Sequence, residues 1–316
     1  MKAPTLAHRF EYVLFSAVMV VVRRLPERAA LQLGTFVGWF AGSVLRTRRS
    51  VVRENLERAF PTETARWRER VAAAMYRHFG REGAALLRMG SIAQVSARIE
   101  TEGVEFLRRP IEQGHGVVVL AGHLGNWEVA AAAIVANGFP LDVVVKRQKN
   151  PLFDAYVRKT RETLGMRLAY KEEAPRLIFR ALRDRHVVAL VADQNAAAAG
   201  TFVEFFGTPA ATARGPAVFA ARSGADVVML LSRRLPGAVS RYSVRFLPIR
   251  FEPSEDAVEN EARLLRAYHA MLEEAIRAAP EQYFWLHRRW KTRPEGEEPL
   301  TVPQVSRRPR TSAGSA

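Results

Sequence analysis

Short β-rich runs alternate with helix-like stretches through the middle of this 316-residue chain, and this alternation restricts the possible folds more than any other feature. The β-rich runs lie at residues 117–120, 141–146 and 187–192, and the helical patterns lie at 126–136, 150–164 and 174–183. Strands that alternate with helices in this way usually pair in parallel, because each helix carries the chain back across the sheet. The sequence therefore predicts an α/β fold with a largely parallel sheet flanked by helices.

Further elements are expected on both sides of this central region. Residues 50–89 show a helical pattern that is interrupted at Pro61, and Thr62 is the expected cap of the second helix. Two more β-like runs and an amphipathic helix follow the central region, at residues 226–232, 241–247 and 257–278.

The N-terminal region holds two apolar stretches, residues 12–22 and 29–45, with arginines between and around them. At 11 and 17 residues they are shorter than the roughly 20 residues that a helix needs to cross a bilayer. Flanking basic residues favour contact with an anionic cytoplasmic leaflet, so we expect membrane-associated helices that lie on the bilayer, dip into it or span it. No small-residue cleavage site adjoins the first stretch, and we expect it to be retained. The alternative is a pair of ordinary core helices.

These patterns divide the chain into three expected parts. Residues 1–48 form the N-terminal membrane-associated helices, and residues 49–295 form the α/β domain. Residues 296–316 are rich in Pro, Ser and Arg, and we expect them to be a disordered tail.

The charge balance indicates an anionic partner. The chain has 48 basic and 32 acidic residues, a formal net charge of +16. Anionic lipid head groups, nucleic acid and acidic proteins all suit such a charge. The absence of cysteine excludes disulfides, thiolate metal sites and an acyl-cysteine intermediate.

The segment around His123 carries the strongest sign of chemistry. A buried strand is expected to end at Gly122, His123 then lies in a turn, Asn126 is the expected N-cap of the next helix, and Glu128 falls in its first turn. In this geometry the carboxylate of Glu128 can hold one imidazole nitrogen while the other takes a proton from a hydroxyl. Gly122 and Gly125 are expected to leave room for a substrate near the backbone.

The spacing by itself is weak evidence, because a histidine followed five residues later by an acid also arises by chance. His269 and Glu274 show the same spacing inside the predicted C-terminal helix, where about 140° of rotation separates the two side chains. The alternative for His123 is an ordinary turn histidine beside a capped helix. A zinc site is less well supported, because His123 has no second histidine or cysteine at ligand spacing.

A longer set of motifs strengthens the interpretation of His123. The segment Gly122-His123-Leu124-Gly125-Asn126-Trp127-Glu128 resembles the catalytic motif of the bacterial lipid A biosynthesis acyltransferases, the lauroyl and myristoyl transferase family. Other blocks resemble the same family in the same order: Asn55-Leu56, Ala59-Phe60-Pro61, Asn150-Pro151, Ala192-Asp193-Gln194, Phe205-Phe206-Gly207, Gly215-Pro216-Ala217 and residues 280–294.

The resemblance implies a fold like that of glycerolipid acyltransferases and an enzyme that moves a fatty acyl chain from acyl carrier protein to a hydroxyl of a lipid A precursor. It implies no metal or cofactor, and a location at the cytoplasmic face of the bacterial inner membrane. His123 would be the general base and Glu128 its orienting partner. The family also has a functional arginine, which either Arg158 or Arg161 matches, and an aspartate that Asp193 matches. Asp193 could instead simply cap a turn.

Basic residues supply candidates for binding an anionic glycolipid acceptor. Arg288, Arg289 and Lys291 follow an aromatic run and could bind phosphates, although a solvated basic face is an equal alternative. Arg147 is another candidate for phosphate.

Two alternative functions remain open at this stage. One is a related acyltransferase that uses acyl-coenzyme A and acts on another glycolipid, such as a phosphatidylinositol mannoside. The other is a non-enzymatic basic protein that binds membranes or nucleic acid. The chain shows no helix-turn-helix, RRM or zinc-finger signature, so we expect no nucleic-acid partner.

Overall fold

A computed structural model describes residues 3–170, 172–197 and 200–296 of the chain. All but the first residue of the expected disordered tail, 296–316, lies outside the described residues. The helices are α1 (Leu6–Arg24), α2 (Glu27–Ser43), α3 (Arg49–Ala59), α4 (Ala65–Arg88), α5 (Ile92–Ser96), α6 (Glu105–Glu112), α7 (Trp127–Ala136), α8 (Pro151–Thr163), α9 (Ala174–Arg183), α10 (Gly215–Ser223) and α11 (Ala257–Ala278). The strands are β1 (Ile99–Glu102), β2 (Val117–Ala121), β3 (Leu141–Val145), β4 (Met166–Tyr170), β5 (Val187–Val191), β6 (Gly200–Phe205), β7 (Thr208–Ala213), β8 (Asp226–Arg234) and β9 (Tyr242–Pro248).

The main sheet has seven strands in the order β1-β9-β8-β2-β5-β3-β4. All its neighbours run parallel except β8 and β9, which pair antiparallel. This confirms the predicted α/β class with a mostly parallel sheet. Strand β2 is buried along its whole length, and its side chains alternate between two cores: Val118 and Leu120 pack on one face, Val117 and Val119 on the other.

Several local expectations need correction. Strand β4 and the β6–β7 hairpin were not predicted, because their runs of five or six residues include exposed or small side chains that break the apolar pattern. The cap of α4 is Thr64, not Thr62: the Thr64 side chain accepts from the backbone N–H of Trp67. Residues 61–63 instead form the turn that Pro61 begins.

The N-terminal apolar stretches form α1 and α2. Helix α2 packs closely along α4 through Gly34, Gly38 and Gly42, where an added Cβ would overlap Gly80 or Tyr76. The outer faces of α1 and α2 leave large apolar side chains uncovered, including Phe10 and Phe36. Within the described residues, neither of these helices nor any other combines the length and apolar character that crossing a bilayer requires.

Candidate active site

The candidate active site lies at the carboxyl edge of the parallel sheet, where β2 and β5 run side by side. Ala121 at the end of β2 pairs in register with Val191 at the end of β5. His123 and Asp193 each follow these paired positions by two residues, so the register brings their side chains together. Open α/β sheets usually bind their ligands at this edge.

A buried carboxylate holds the imidazole of His123. Its Nδ1 lies 2.6 Å from Oδ1 of Asp193, and its backbone N–H donates to Oδ2 over 2.8 Å. Burial would raise the pKa of Asp193, but the charge and hydrogen bonds of His123 lower that pKa to about 2. Burial would lower the pKa of His123, but the charge and hydrogen bond of Asp193 raise it above its ordinary value. A carboxylate on Nδ1 orients an imidazole for proton transfer at Nε2.

The other side of the imidazole meets an amide and two aromatic rings. The amide nitrogen of Gln194 lies 3.2 Å from Nε2. The ring of Trp127 contacts the imidazole edge to face at a centroid distance of 4.7 Å, and the ring of Phe284 lies at 6.0 Å. These neighbours restrict rotation of the imidazole, so His123 is held in one orientation.

Glu128 does not hold the imidazole, and that expectation is wrong for this structure. Both carboxylate oxygens of Glu128 accept from the guanidinium of Arg161, with Nε of Arg161 2.9 Å from Oε2. Glu128 turns to α8 because a planar guanidinium satisfies both carboxylate oxygens at once. Among the described residues, the carboxylate that contacts the imidazole is that of Asp193.

The structure also separates the two arginine candidates of α8. Arg161 is largely buried against Glu128, whose charge and hydrogen bond raise the Arg161 pKa although burial would lower it. Arg158 is exposed and pairs with Glu162 one turn along the same helix. Only Arg161 therefore reaches the candidate site.

The turn between His123 and Glu128 is fixed by Asn126. Its side-chain oxygen accepts from the backbone N–H of Val129 and caps α7, which confirms the predicted cap. Its amide nitrogen donates over 2.7 Å to the buried carboxylate of Glu82. The position of Glu128 on α7 is thus set by contacts to α4.

The glycines of this turn serve packing, not substrate approach, which corrects the expectation. Gly125 has a φ of +61°, and an added Cβ would overlap the carbonyl oxygen of Ser232. A Cβ on Gly122 would lie 2.6 Å from the side chain of Leu272. Both positions are glycine because neighbouring elements occupy the space.

A large apolar cavity of about 730 Å³ leads to the Glu128–Arg161 pair. Its walls come from α1, α2, α4 and α8 and include Val18, Val21, Leu33, Val37, Val157 and Leu164. Phe79 also lines the cavity and contacts Phe284, whose ring faces His123. The cavity thus has apolar walls and one charged pair in its lining, and its volume is typical of small-molecule sites.

The remaining basic candidates occupy different environments. Arg288 and Lys291 are exposed, and Arg147 is exposed with its guanidinium 3.7 Å from the centroid of the Tyr170 ring. Arg289 is 2% exposed and donates to the carbonyl oxygen of Ala211. The expectation that Arg289 binds a phosphate is wrong, because its donors point into the protein.

Sequence reasoning assigned no role to two residues that the structure brings to the site. Gln194 faces the imidazole. The sequence signal that could have identified Gln194 is its position as a polar residue directly after the acidic residue at the end of a strand. His287 accepts at Nε2 from the backbone N–H of Asn195 over 3.0 Å and so fixes the loop that carries Asp193. Its only sequence signal is its place in the aromatic and basic run 284–291.

Comparison with known proteins gives a consistent set of relatives. A sequence model of the family described as bacterial lipid A biosynthesis acyltransferase matches residues 2–292. The chain is 30% identical over 288 residues to the lipid A biosynthesis palmitoleoyltransferase of Escherichia coli (strain K12), covering 88% of this chain and 90% of that protein. It is 29% identical over 286 residues to the lipid A biosynthesis lauroyltransferase of the same strain, with the same coverage of 88% and 90%. It is 27% identical over 219 residues to the phosphatidylinositol mannoside acyltransferase of Mycolicibacterium smegmatis, covering 67% of this chain and 71% of that protein.

Proposed function

The chain belongs to the bacterial lipid A biosynthesis acyltransferase family, and from this membership we propose that it moves a fatty acyl chain from an acyl carrier protein thioester to a hydroxyl of a lipid A precursor. Family membership makes the protein an acyltransferase, which excludes the alternative of a non-enzymatic binding protein. The donor, the acceptor and the roles of individual residues are the content of the proposal.

The proposal rests on an apolar cavity lined by Glu128 and Arg161, together with a carboxylate-held imidazole that contacts Trp127, the residue before Glu128. The cavity of about 730 Å³ offers a dry environment for a fatty acyl chain. Its charged end, at Glu128 and Arg161, adjoins Trp127, whose ring contacts His123. A chain lying in the cavity would therefore present its thioester carbonyl near the base.

We assign the general base to His123. Nε2 takes the proton of the acceptor hydroxyl as the hydroxyl oxygen attacks the thioester carbonyl, and Asp193 holds Nδ1 and stabilises the imidazolium that forms. When the tetrahedral intermediate collapses, the carbon–sulfur bond breaks and the imidazolium returns its proton to the departing thiolate. The acceptor hydroxyl takes the place that the Gln194 amide occupies at Nε2.

We assign stabilisation of the oxyanion to Arg161. Its Nε and Nη2 donate to Glu128, which leaves Nη1 without a hydrogen-bond partner among the described residues. A guanidinium held by a carboxylate is a preorganised donor, and such donors act most strongly where water is excluded. Glu128 therefore acts by orienting Arg161, and not through the imidazole.

The N-terminal helices support a membrane location, which we place at the cytoplasmic face of the bacterial inner membrane. Leu6, Phe10 and Phe36 are 85%, 73% and 57% exposed, more apolar surface than an aqueous environment favours. Helix α1 also carries Arg9, Arg23 and Arg24, whose positive charges suit anionic head groups. The apolar cavity of about 730 Å³, which we propose holds the acyl chain, lies between these helices and α8. Lipid substrates would therefore reach the cavity from the bilayer. Exposed Arg288, Lys291 and Arg147 remain candidates for the acceptor phosphates.

A second candidate is acylation of a phosphatidylinositol mannoside from acyl-coenzyme A. The similarity to the Mycolicibacterium smegmatis enzyme favours it, although that match covers 67% of this chain and the lipid A relatives cover 88%.

One experiment separates these candidates. Membranes containing the protein are offered a tetra-acylated lipid A precursor or a phosphatidylinositol mannoside, each with acyl carrier protein or coenzyme A thioesters, and the products are weighed by mass spectrometry. We expect one added acyl chain on the lipid A precursor with the carrier-protein donor. Acylation of the mannoside alone would favour the second candidate, and no acylation of either acceptor would contradict both.

A further inference from the structure

Arg289 is a buried cation whose hydrogen-bond partners are all neutral. Its Nη1 donates to the carbonyl oxygens of Ala211 over 2.6 Å and Gln194 over 3.5 Å. Its Nη2 donates to Oγ1 of Thr212 over 2.6 Å and lies 3.3 Å from Nε2 of His269. Within the described ranges, no carboxylate forms an ion pair with it. Burying a cation is costly unless an opposite charge lies nearby.

The Asp193 carboxylate of the candidate active site interacts electrostatically with Arg289. A small internal cavity is lined by Arg289 together with Asp193 and His123, so the three groups surround one space. Arg289 also contacts the Gln194 carbonyl, directly after Asp193 in the chain. The charge of Arg289 contributes to the low pKa of Asp193, after the larger effects of burial and of His123.

The other titratable groups around these three are neutral or paired. On α11, burial lowers the pKa of His269 to about 3 and raises that of Tyr268 well above its ordinary value. Burial likewise raises the pKa of Tyr283 and lowers that of His287 on the segment that follows α11. On the far side of His123, Glu128 is paired with Arg161. Among the described groups around this space, the buried charges without an oppositely charged partner of their own are therefore Arg289 and, while His123 is neutral, Asp193.

We propose that Arg289 is the buried counter-charge of the Asp193 carboxylate and acts as a positioning residue whose fixed charge opposes protonation of His123. This inference rests on the proposed role of His123 as general base. When His123 is neutral, the charges of Asp193 and Arg289 cancel. Protonation of His123 adds a second buried cation, which Arg289 disfavours. Its hydrogen bonds to Ala211 and Thr212 hold that charge at a fixed place beside the pair.

The pH dependence of acyl transfer tests this role. Arg289→Gln removes the charge, whereas Arg289→Lys keeps it and loses the planar donors. We expect the acid limb of kcat/KM in Arg289→Gln to move to higher pH, because loss of a nearby cation raises the pKa of His123. In Arg289→Lys the limb should keep its wild-type position even if the rate falls. An unshifted limb in Arg289→Gln, or an equal shift in both variants, would overturn the proposal.

A second measurement is used if Arg289→Gln does not fold. This measurement does not depend on enzymatic turnover, so it tests the counter-charge even in a protein without transferase activity. Thermal unfolding is measured for Asp193→Asn, Arg289→Gln and the double variant. A counter-charge predicts that the double variant is more stable than the sum of the single effects, because neither charge then remains buried alone. We expect the double variant to be recovered folded even if Arg289→Gln is not. Additive losses, or a double variant that also fails to fold, would refute the pairing.

Discussion

At the scale of single residues, the proposed mechanism gives two carboxylates separate tasks. The Asp193 carboxylate contacts Nδ1 of the His123 imidazole, and the Glu128 carboxylate pairs with the guanidinium of Arg161. In that proposal, Asp193 sets the orientation and basicity of the proton acceptor His123, and Glu128 fixes the donor Arg161, which lines the apolar cavity. Their replacement should therefore produce different kinetic changes.

Replacement of Asp193 should affect both rate and pH dependence. Asp193 raises the pKa of His123 above its ordinary value of 6.5, so the wild-type rate should rise with pH through a pKa above that value. In Asp193→Asn that pKa falls and the acid limb moves to lower pH, while kcat at the plateau drops by about 10²-fold or more because the imidazole is no longer oriented. Asp184→Asn, at an exposed aspartate paired with Arg180, is the matched control. A plateau equal to that of wild type would rule out Asp193 as the orienting group.

Glu128 and Arg161 should behave as one unit. Arg161→Gln is expected to lower kcat by about 10²-fold, the usual cost of losing one oxyanion donor. Glu128→Gln should lower kcat through the same loss of orientation, and the double variant should be no worse than Arg161→Gln alone. Arg158→Gln, on the same helix but exposed, should leave kcat nearly unchanged. If the losses in kcat of Glu128→Gln and Arg161→Gln were fully additive in the double variant, the two side chains would act separately.

At the scale of secondary-structure elements, glycines of α2 and α4 shape one wall of the apolar cavity that is proposed to hold the acyl chain. Gly38 of α2 allows the helices to touch, since a Cβ there would overlap the carbonyl oxygen of Tyr76. Gly83 of α4 lines the cavity, and a Cβ there would meet open space. One glycine thus serves packing, while the other leaves volume free.

Substitution at these two glycines should separate stability from chain selectivity. Gly83→Leu places a side chain in the cavity, so we expect preference for shorter acyl thioesters at nearly wild-type thermal stability. Gly38→Ala is expected to destabilise the fold by about 1–3 kcal/mol through overpacking, without a specific change in chain preference. Competition among thioesters of several lengths, with product masses as the readout, measures the preference. If Gly83→Leu keeps the wild-type preference, the acyl chain does not lie in this cavity.

Much of the element order was predictable from the sequence, but the partners of side chains were not. The strand at 117–120, the turn with His123 and the cap at Asn126 follow from local patterns. The contact between His123 and Asp193 depends on the register of β2 with β5, which joins residues 70 positions apart. Likewise, the five-residue spacing suggested that Glu128 holds His123, but the competing Arg161 comes from α8, 33 residues away. Local spacing identified the residues, and long-range packing decided which of them meet.

At the scale of the whole molecule, the exposed apolar side chains of the described residues are concentrated on the N-terminal helices, which also line the apolar cavity. Four positions on α1 and α2 are prominent: Phe10, Leu14, Phe36 and Phe40. Val258, at the start of α11, is comparably exposed but lies on a different element. A membrane-docking surface on α1 and α2 would explain this distribution.

Sedimentation with membranes tests that surface. Replacing Phe10, Leu14, Phe36 and Phe40 with serine should release a large fraction of the protein, because each buried apolar side chain contributes about 1.5–3 kcal/mol. Val258→Ser should sediment as wild type does, and high salt alone should extract little of the wild-type protein, because apolar burial is not screened by salt. Quantitative blotting of pellet and supernatant gives the distribution. A serine variant that stays fully in the pellet would contradict docking through α1 and α2.

We propose that this protein uses His123 to transfer an acyl chain from a thioester to a glycolipid hydroxyl. The most direct test follows thiol release and product mass together for wild type, His123→Ala and His115→Ala. His115 is an exposed histidine just before β2, at the end of the strand opposite to His123, and serves as the matched control. We expect one thiol released per acyl chain added in wild type and His115→Ala, and a transfer rate about 10²- to 10⁴-fold lower in His123→Ala. Transfer by His123→Ala at the wild-type rate, or thiol release without acylated glycolipid in wild type, would contradict this proposal.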